Sequence, residues 1–181
     1  LILSGSGFYL DTYQEMLNKI KIPVVLVENS PETTGISSVY IDDVAGMTMA
    51  AQYLINQGHK QIGIIAGPEK MLTTDRRIKA VRNVFKDYHL NLNEKHVIFG
   101  EYASLESGAT ALQKLMKNRK PPTAILAFND ILAIGALKAA IQLGLKIPKD
   151  LAIIGFDDIP MAAYYSPALS TIHSPSLDLG K

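Results

Sequence analysis

Apolar positions along this chain fall into two alternating patterns. Short, nearly continuous apolar runs occur at Val24–Val27, Ile62–Ala66, His96–Phe99, Ala124–Phe128 and Leu151–Gly155. Runs of this length without strict alternation are what strands covered on both faces show. Between them lie segments of helical period. Ala45–Asn56 carries Met49, Leu54 and Ile55 and is stopped by Gly58, a C′ glycine by position. Arg76–Tyr88 sets Ile78, Val81, Val84, Phe85 and Tyr88 on one face. Leu105–Met116 and Ile131–Leu143 follow the same rule, the second ended by Gly144 and then Pro148. Strands and helices in alternation predict parallel sheets joined by right-handed crossovers. Glu28–Ser38 breaks the rhythm; polar and carrying Pro31 and Gly35, it reads as a loop into a next lobe. Leu1-Ile2-Leu3 reads as the tail of a buried strand, and the whole as a fragment of a longer protein.

Composition narrows the function classes. The chain has 181 residues, 48% apolar and 19% charged, an ordinary globular balance. A net charge of +1 gives no basic stripe with which to grip nucleic acid, so any DNA contact is expected elsewhere. The absence of cysteine excludes disulfides and thiolate metal sites and fits a cytoplasmic protein. No apolar run reaches the ~20 residues needed to span a bilayer. The four histidines have no metal-ligand spacing, and His59 reads as structural in a Gly-His-Lys turn. Gly5-Ser6-Gly7 lacks the third glycine of a dinucleotide fingerprint, and no Walker A, G-x-S-x-G or HExxH motif occurs. Neither enzyme, cofactor nor metal is expected.

In open parallel sheets ligands bind beyond the carboxyl ends of the strands, which singles out the polar residues there. Glu28 follows the first run; Thr73, Asp75, Arg76 and Arg77 follow the second; Asn129 and Asp130 follow Phe128; Phe156, Asp157 and Asp158 follow the last. Carboxylate, hydroxyl, guanidinium and amide together suit a polyhydroxylated or heterocyclic ligand, with Phe156 and Tyr102 as apolar faces for a ring. Each has a plainer reading. Asn129 reads equally as a helix N-cap, worth ~1 kcal/mol, and Thr73 and Thr74 as caps. One of Asp157 and Asp158 reads as the cap of a short helix over Ile159–Tyr165, Arg77 as the partner of Asp75 or a neighbour in a helix-surface ion pair, and Glu28 as a solvated loop acid.

Three ordered segments resemble a known family: Gly58-His59-Lys60-Gln61-Ile62-Gly63-Ile64-Ile65-Ala66-Gly67-Pro68; Pro122-Thr123-Ala124-Ile125-Leu126-Ala127-Phe128-Asn129-Asp130 with Ile134-Gly135-Ala136-Leu137; and Gly155-Phe156-Asp157-Asp158 followed by Ser166-Pro167-Ala168-Leu169-Ser170-Thr171-Ile172. Their order and spacing are similar to the effector-binding core of LacI/GalR-type bacterial transcription repressors, from about Pro23 to Leu179. The resemblance implies a periplasmic-binding-protein-like α/β fold of two parallel-sheet, Rossmann-type lobes, the first incomplete here. Residues 1–41 would be part of the N-terminal lobe, 42–172 the C-terminal lobe, and 173–181 the return to the first. It implies a small polar effector, preferably a sugar, held between the lobes by Arg77, Asp157, Asn129, Thr73, Tyr102 and Glu28, with Phe156 beside them. It further implies a homodimer with Tyr164 and Tyr165 as contacts, each reading equally as a core aromatic, and operator DNA read by an upstream helix-turn-helix. Ser166 stands where members that bind a protein corepressor tend to be basic, which favours a small effector. On this reading Arg77→Ala removes ligand response and leaves folding intact. A periplasmic sugar-binding protein of a transport system shares the fold and is the rival reading, and a doubly wound enzyme a second.

Overall fold

The apolar run Ile62–Ala66 is buried at every residue and lies inside a sheet covered on both sides. The computed structural model describes residues 1–4, 15, 17, 19–28, 36–100 and 103–180. In chain order these form β1 (Ile2–Ser4), β2 (Val25–Val27), β3 (Ser37–Val39), α1 (Asp43–Asn56), β4 (Ile62–Ala66) and α2 (Leu72–Asp87). Then follow β5 (Val97–Phe99), α3 (Leu105–Met116), β6 (Ala124–Ala127), α4 (Asp130–Gln142), β7 (Ala152–Asp157) and β8 (Ser170–His173), with short 3-10 turns at Glu94–His96, Pro160–Tyr164 and Asp178–Gly180.

The strands form two parallel sheets, one ordered β1-β2-β3 and one β5-β4-β6-β7-β8. In the larger sheet the chain steps from β4 to one side and then returns to its other side, so the order reverses between β4 and β6. Such a reversal leaves a crevice at the carboxyl ends, because the flanking crossovers lead away on opposite faces.

Each face of the larger sheet has its own core. Met47, Leu54 and Phe85 from α1 and α2 pack with Ile64, Leu126 and Phe156 on one face. Leu112, Leu132 and Leu137 from α3 and α4 pack with Ile65, Ile125 and Ile153 on the other. The three-stranded sheet rests on Leu17 and Leu26, with Leu3, Ile20, Val24 and Ile36 partly buried around them. The helix starts are fixed by side-chain caps that satisfy otherwise orphaned amides. Asp42 accepts from the Ala45 amide at 2.9 Å, Ser104 from Ser107 at 3.1 Å and Asn129 from Leu132 at 2.8 Å. Gly58 ends α1 at φ +93°, the left-handed conformation expected of a C′ glycine.

α3 and α4 touch backbone to backbone. A Cβ on Gly108 would overlap the carbonyl oxygen of Leu132, and a Cβ on Gly135 that of Leu105. Each helix thus lays a glycine on the other's first turn.

The structure departs from the sequence expectation at several elements. Ser37–Val39, at the end of the segment expected to be a loop, is a strand paired with β2, Val25 opposite Ser37. Ser170–His173 also forms a strand, and β7 runs on to Asp157. α1 begins at Asp43 and buries Met47, whereas Met49, expected on the apolar face, is 60% exposed. α2 begins at Leu72, four residues before expectation, and Tyr88 is its exposed C-cap, off the buried face.

Candidate functional site

The carboxyl ends of β2, β7 and β8, the segment after β3 and the start of α2 border one cavity of about 780 Å³, a size suited to a small molecule. Its lining includes Glu28 after β2, Asp43 after β3, Thr73 and Arg77 on α2, Asp157 and Asp158 at the end of β7, and His173 at the end of β8.

Arg77 is held on three sides. Its Nε and Nη2 each lie 2.7 Å from Asp43 Oδ1, Nη1 donates to the Phe128 carbonyl oxygen, and the guanidinium sits 4.0 Å from the Phe156 ring centroid. These contacts bridge the crevice between β4 and β6, because Arg77 follows β4 and Phe128 follows β6. The surface partnership considered for Arg77 is not formed; Asp75 pairs with Lys79 at 2.7 Å. Asp43 is 6% exposed, and a carboxylate that buried requires a cation or donors around it. Arg77 is therefore part of the fold as well as of the cavity, and Arg77→Ala is expected to lower stability as well as ligand response.

Asp157 and Asp158 both have positive φ, at +115° and +57°, as does Glu28 at +65°. Three of the four non-glycine residues with positive φ among the described residues thus line the cavity. Such conformations cost free energy and collect at functional sites, where surrounding structure holds them. The Asp158 carboxylate accepts from His173 Nδ1 at 2.9 Å. Burial pushes the Asp157 carboxyl up to about 6; Arg77 draws it down, while Asp130, Asp43 and Glu28 push it further up. An acid raised in the folded state binds its proton more tightly there than in the unfolded chain. Its contribution to stability is complete below pH 3.8, the ordinary value, and is lost as pH rises through 6. Asp157→Asn is thus expected to stabilise the unliganded protein at pH 8 by about 2 kcal/mol, after discounting for residual solvent contact, with no gain at pH 4. Thermal melts at the two pH values check this; an Asn variant no more stable than the parent at pH 8 contradicts it.

Of the residues singled out from sequence, Glu28, Thr73, Arg77, Asp157 and Asp158 border the cavity. Asn129 stands outside its lining and caps α4. Phe156, expected as an exposed apolar wall, is 0% exposed; it lies beneath Arg77 and against Gly46, where a Cβ would come 2.5 Å from its ring. Thr73 lies in the first turn of α2 and Thr74 is buried; the N-cap is Met71, without a side-chain bond. Tyr102 lies outside the described residues. Tyr164 is 87% exposed, and Tyr165 packs partly buried against the α3–α4 core. Sequence reasoning missed Asp43, whose partner lies 34 residues away, and His173. The Asp42-Asp43 pair was the available signal: one acid caps the helix outside and the next turns inward.

A sequence profile of the periplasmic binding protein-like domain matches residues 51–181. The chain is 35% identical over 175 residues to the HTH-type transcriptional repressor PurR of Klebsiella pneumoniae, covering 96% of this chain and 51% of that protein. It is 34% identical over 181 residues to the HTH-type transcriptional repressor CytR of Escherichia coli, covering 100% and 52%. The chain therefore spans about half the length of these curated relatives. Among solved structures, a LacI-family regulatory protein from Chloroflexus aggregans superposes with a TM-score of 0.89 at 36% identity, over 99% of this chain and 64% of that one. A sugar-binding LacI-family regulator from Escherichia coli, complexed with phosphate, gives 0.87 at 28% identity, over 98% and 64%.

Proposed function

The chain belongs to the periplasmic-binding-protein-like family in the form found in LacI-type regulators, and from that premise we propose that it is the effector-sensing part of a DNA-binding transcription repressor. The observation that carries this is the cavity at the carboxyl ends of strands from both sheets, bordered by strained, charged residues. The lobes divide as residues 1–41 and 42–172, with the chain returning to the first lobe from 173. The effector sits between them, so its preference for one lobe arrangement shifts an open–closed equilibrium and alters operator binding through a helix-turn-helix outside this chain.

The ligand is small and polar, with a sugar or other polyhydroxylated compound favoured. Glu28, Asp43, Asp157, Asp158 and Asp178 outnumber Arg77 and His173 around the cavity. Carboxylates accept from neighbouring hydroxyls and repel anions, so a neutral polyol fits this lining better than a phosphorylated compound. Arg77, Asp157, Thr73 and Glu28 make the contacts; Asn129 and Tyr102 belong to the same set by family resemblance. The module carries out no catalysis and works in the cytoplasm; no helix among the described residues is long and apolar enough to cross a membrane. It acts as a homodimer, with the exposed Tyr164 at the contact.

Thermal unfolding of the full-length protein against pentoses, hexoses, disaccharides and purines tests the reading. A cognate compound at 100 times its dissociation constant stabilises by about 2.7 kcal/mol. A melting shift with one class, lost in Asp157→Asn, is the expected result. Stabilisation by sugar phosphates alone would contradict the acidic-cavity argument.

A further inference from the structure

Asp130 is 0% exposed and has no cationic partner among the hydrogen bonds and ion pairs of the described residues. It opens α4, directly after the capping Asn129. One carboxylate oxygen accepts from the Thr171 hydroxyl on β8 at 2.6 Å, and the other from the Ile159 amide at 2.9 Å. Thr171 Oγ1 in turn accepts from the Asp158 amide at 3.3 Å. The carboxylate lies under β7 in space that exists only because residue 155 is glycine; any Cβ there would overlap Asp130 Oδ1. Three separate segments of the chain thus meet on one buried acid: the start of α4, the turn after β7 and the last strand. A buried charge tolerates few arrangements, since each lost donor leaves it unsatisfied.

We propose that Asp130 is the positioning residue for the effector site: through Ile159 and Thr171 it holds the Asp157–Asp158 turn in its left-handed conformation and so presents the Asp157 carboxylate to the cavity. This rests on the reading of Asp157 as a ligand contact, but the hold itself is a property of the unliganded protein. Two consecutive residues at positive φ need outside support, and the only side-chain bonds that reach the amides of 158 and 159 among the described residues come from Thr171 and Asp130. Because Thr171 lies on the strand that leads out of the larger sheet, the same bond ties the site to the chain's exit at His173.

The test is the titration of the Asp157 carboxyl, followed by carbon NMR in the full-length protein with labelled aspartates. The charged and titratable groups around Asp157 are Arg77, Asp43, Glu28 and Asp130, with Asp158 and His173 at the same rim. Thr171→Val removes the hydroxyl from both Asp130 and the Asp158 amide; Thr171→Ser keeps it. The expected result is that in Thr171→Val the Asp157 midpoint falls by about one pH unit as the turn relaxes toward solvent, and that the backbone shifts of Asp157 and Asp158 leave the left-handed range. Thr171→Ser should restore both, and Asp130→Asn, where it folds, should move them as Thr171→Val does. An unchanged midpoint and unchanged backbone shifts in folded Thr171→Val overturn the proposal, as does a Ser variant that fails to restore them. No ligand is needed, so a relaxed turn in a protein that binds none of the panel compounds supports the positioning role and counts against the binding reading alone.

Discussion

Arg77→Ala is expected to lower stability by about 3 kcal/mol and to abolish the effector response together. The stability loss follows from what the arginine leaves behind. Asp43, 6% exposed, keeps its charge but loses both contacts at 2.7 Å, and the Phe128 carbonyl and Phe156 face lose their cation. Removing one partner of a buried pair costs about 3–5 kcal/mol, and the cavity's openness to water sets the expectation at the lower end. For a chain of this size that corresponds to a melting decrease of roughly 6–12 °C. Since lost folding and lost binding are mixed in that variant, the double change Asp43→Asn with Arg77→Met separates them. With the charge removed from both sides it should be more stable than Arg77→Ala and still fail to respond to ligand. An Arg77→Ala protein that melts with the parent would show that the pair contributes nothing, and the account of the crevice bridge would fall with it.

Gly135→Ala sets two effects against each other. Alanine is the better helix former by about 1 kcal/mol, and Gly135 sits inside α4. Against this, the new methyl would overlap the Leu105 carbonyl oxygen, a backbone atom at the start of α3 that cannot swing aside as a side chain can. Overpacking costs about 1–3 kcal/mol where side chains can adjust, and here the helices themselves must part. The net expectation is a loss of about 2 kcal/mol, read as a lower denaturation midpoint at constant slope. Gly108→Ala should behave alike against Leu132. A variant stabilised by the propensity difference would mean that the helices are not in backbone contact.

How far these features were visible in the sequence depends on the range of the interaction that creates them. β4 and α3 emerge with the expected bounds because an unbroken apolar run and a serine cap are local signals. β3 and β8 were not foreseen, since each is short and partly exposed and becomes a strand only through its neighbour. Arg77 and Asp157 could be picked as strand-end polar residues, but the role of Asp43 could not, because its partner lies far along the chain. Phe156 was misplaced for a related reason. Alternation along β7 turns it inward, and Gly46, on a helix more than a hundred residues earlier, makes the room. Asp130 stood in plain view beside Asn129, yet its burial depends on Gly155 and its function on Thr171, both brought to it by folding.

The reciprocal glycine contacts also bear on how this molecule can move. Two helices that meet through side chains can slide past one another by small rotamer changes, which is how shear motions are accommodated. α3 and α4 meet through glycines seated on each other's carbonyls, so translation along either axis drives backbone into backbone. That layer behaves as a stiff plate fastened to its sheet, and displacement has to be taken up by φ and ψ changes in the strands' connecting segments. A ligand-driven rearrangement in this chain is thus not taken up by shear between α3 and α4.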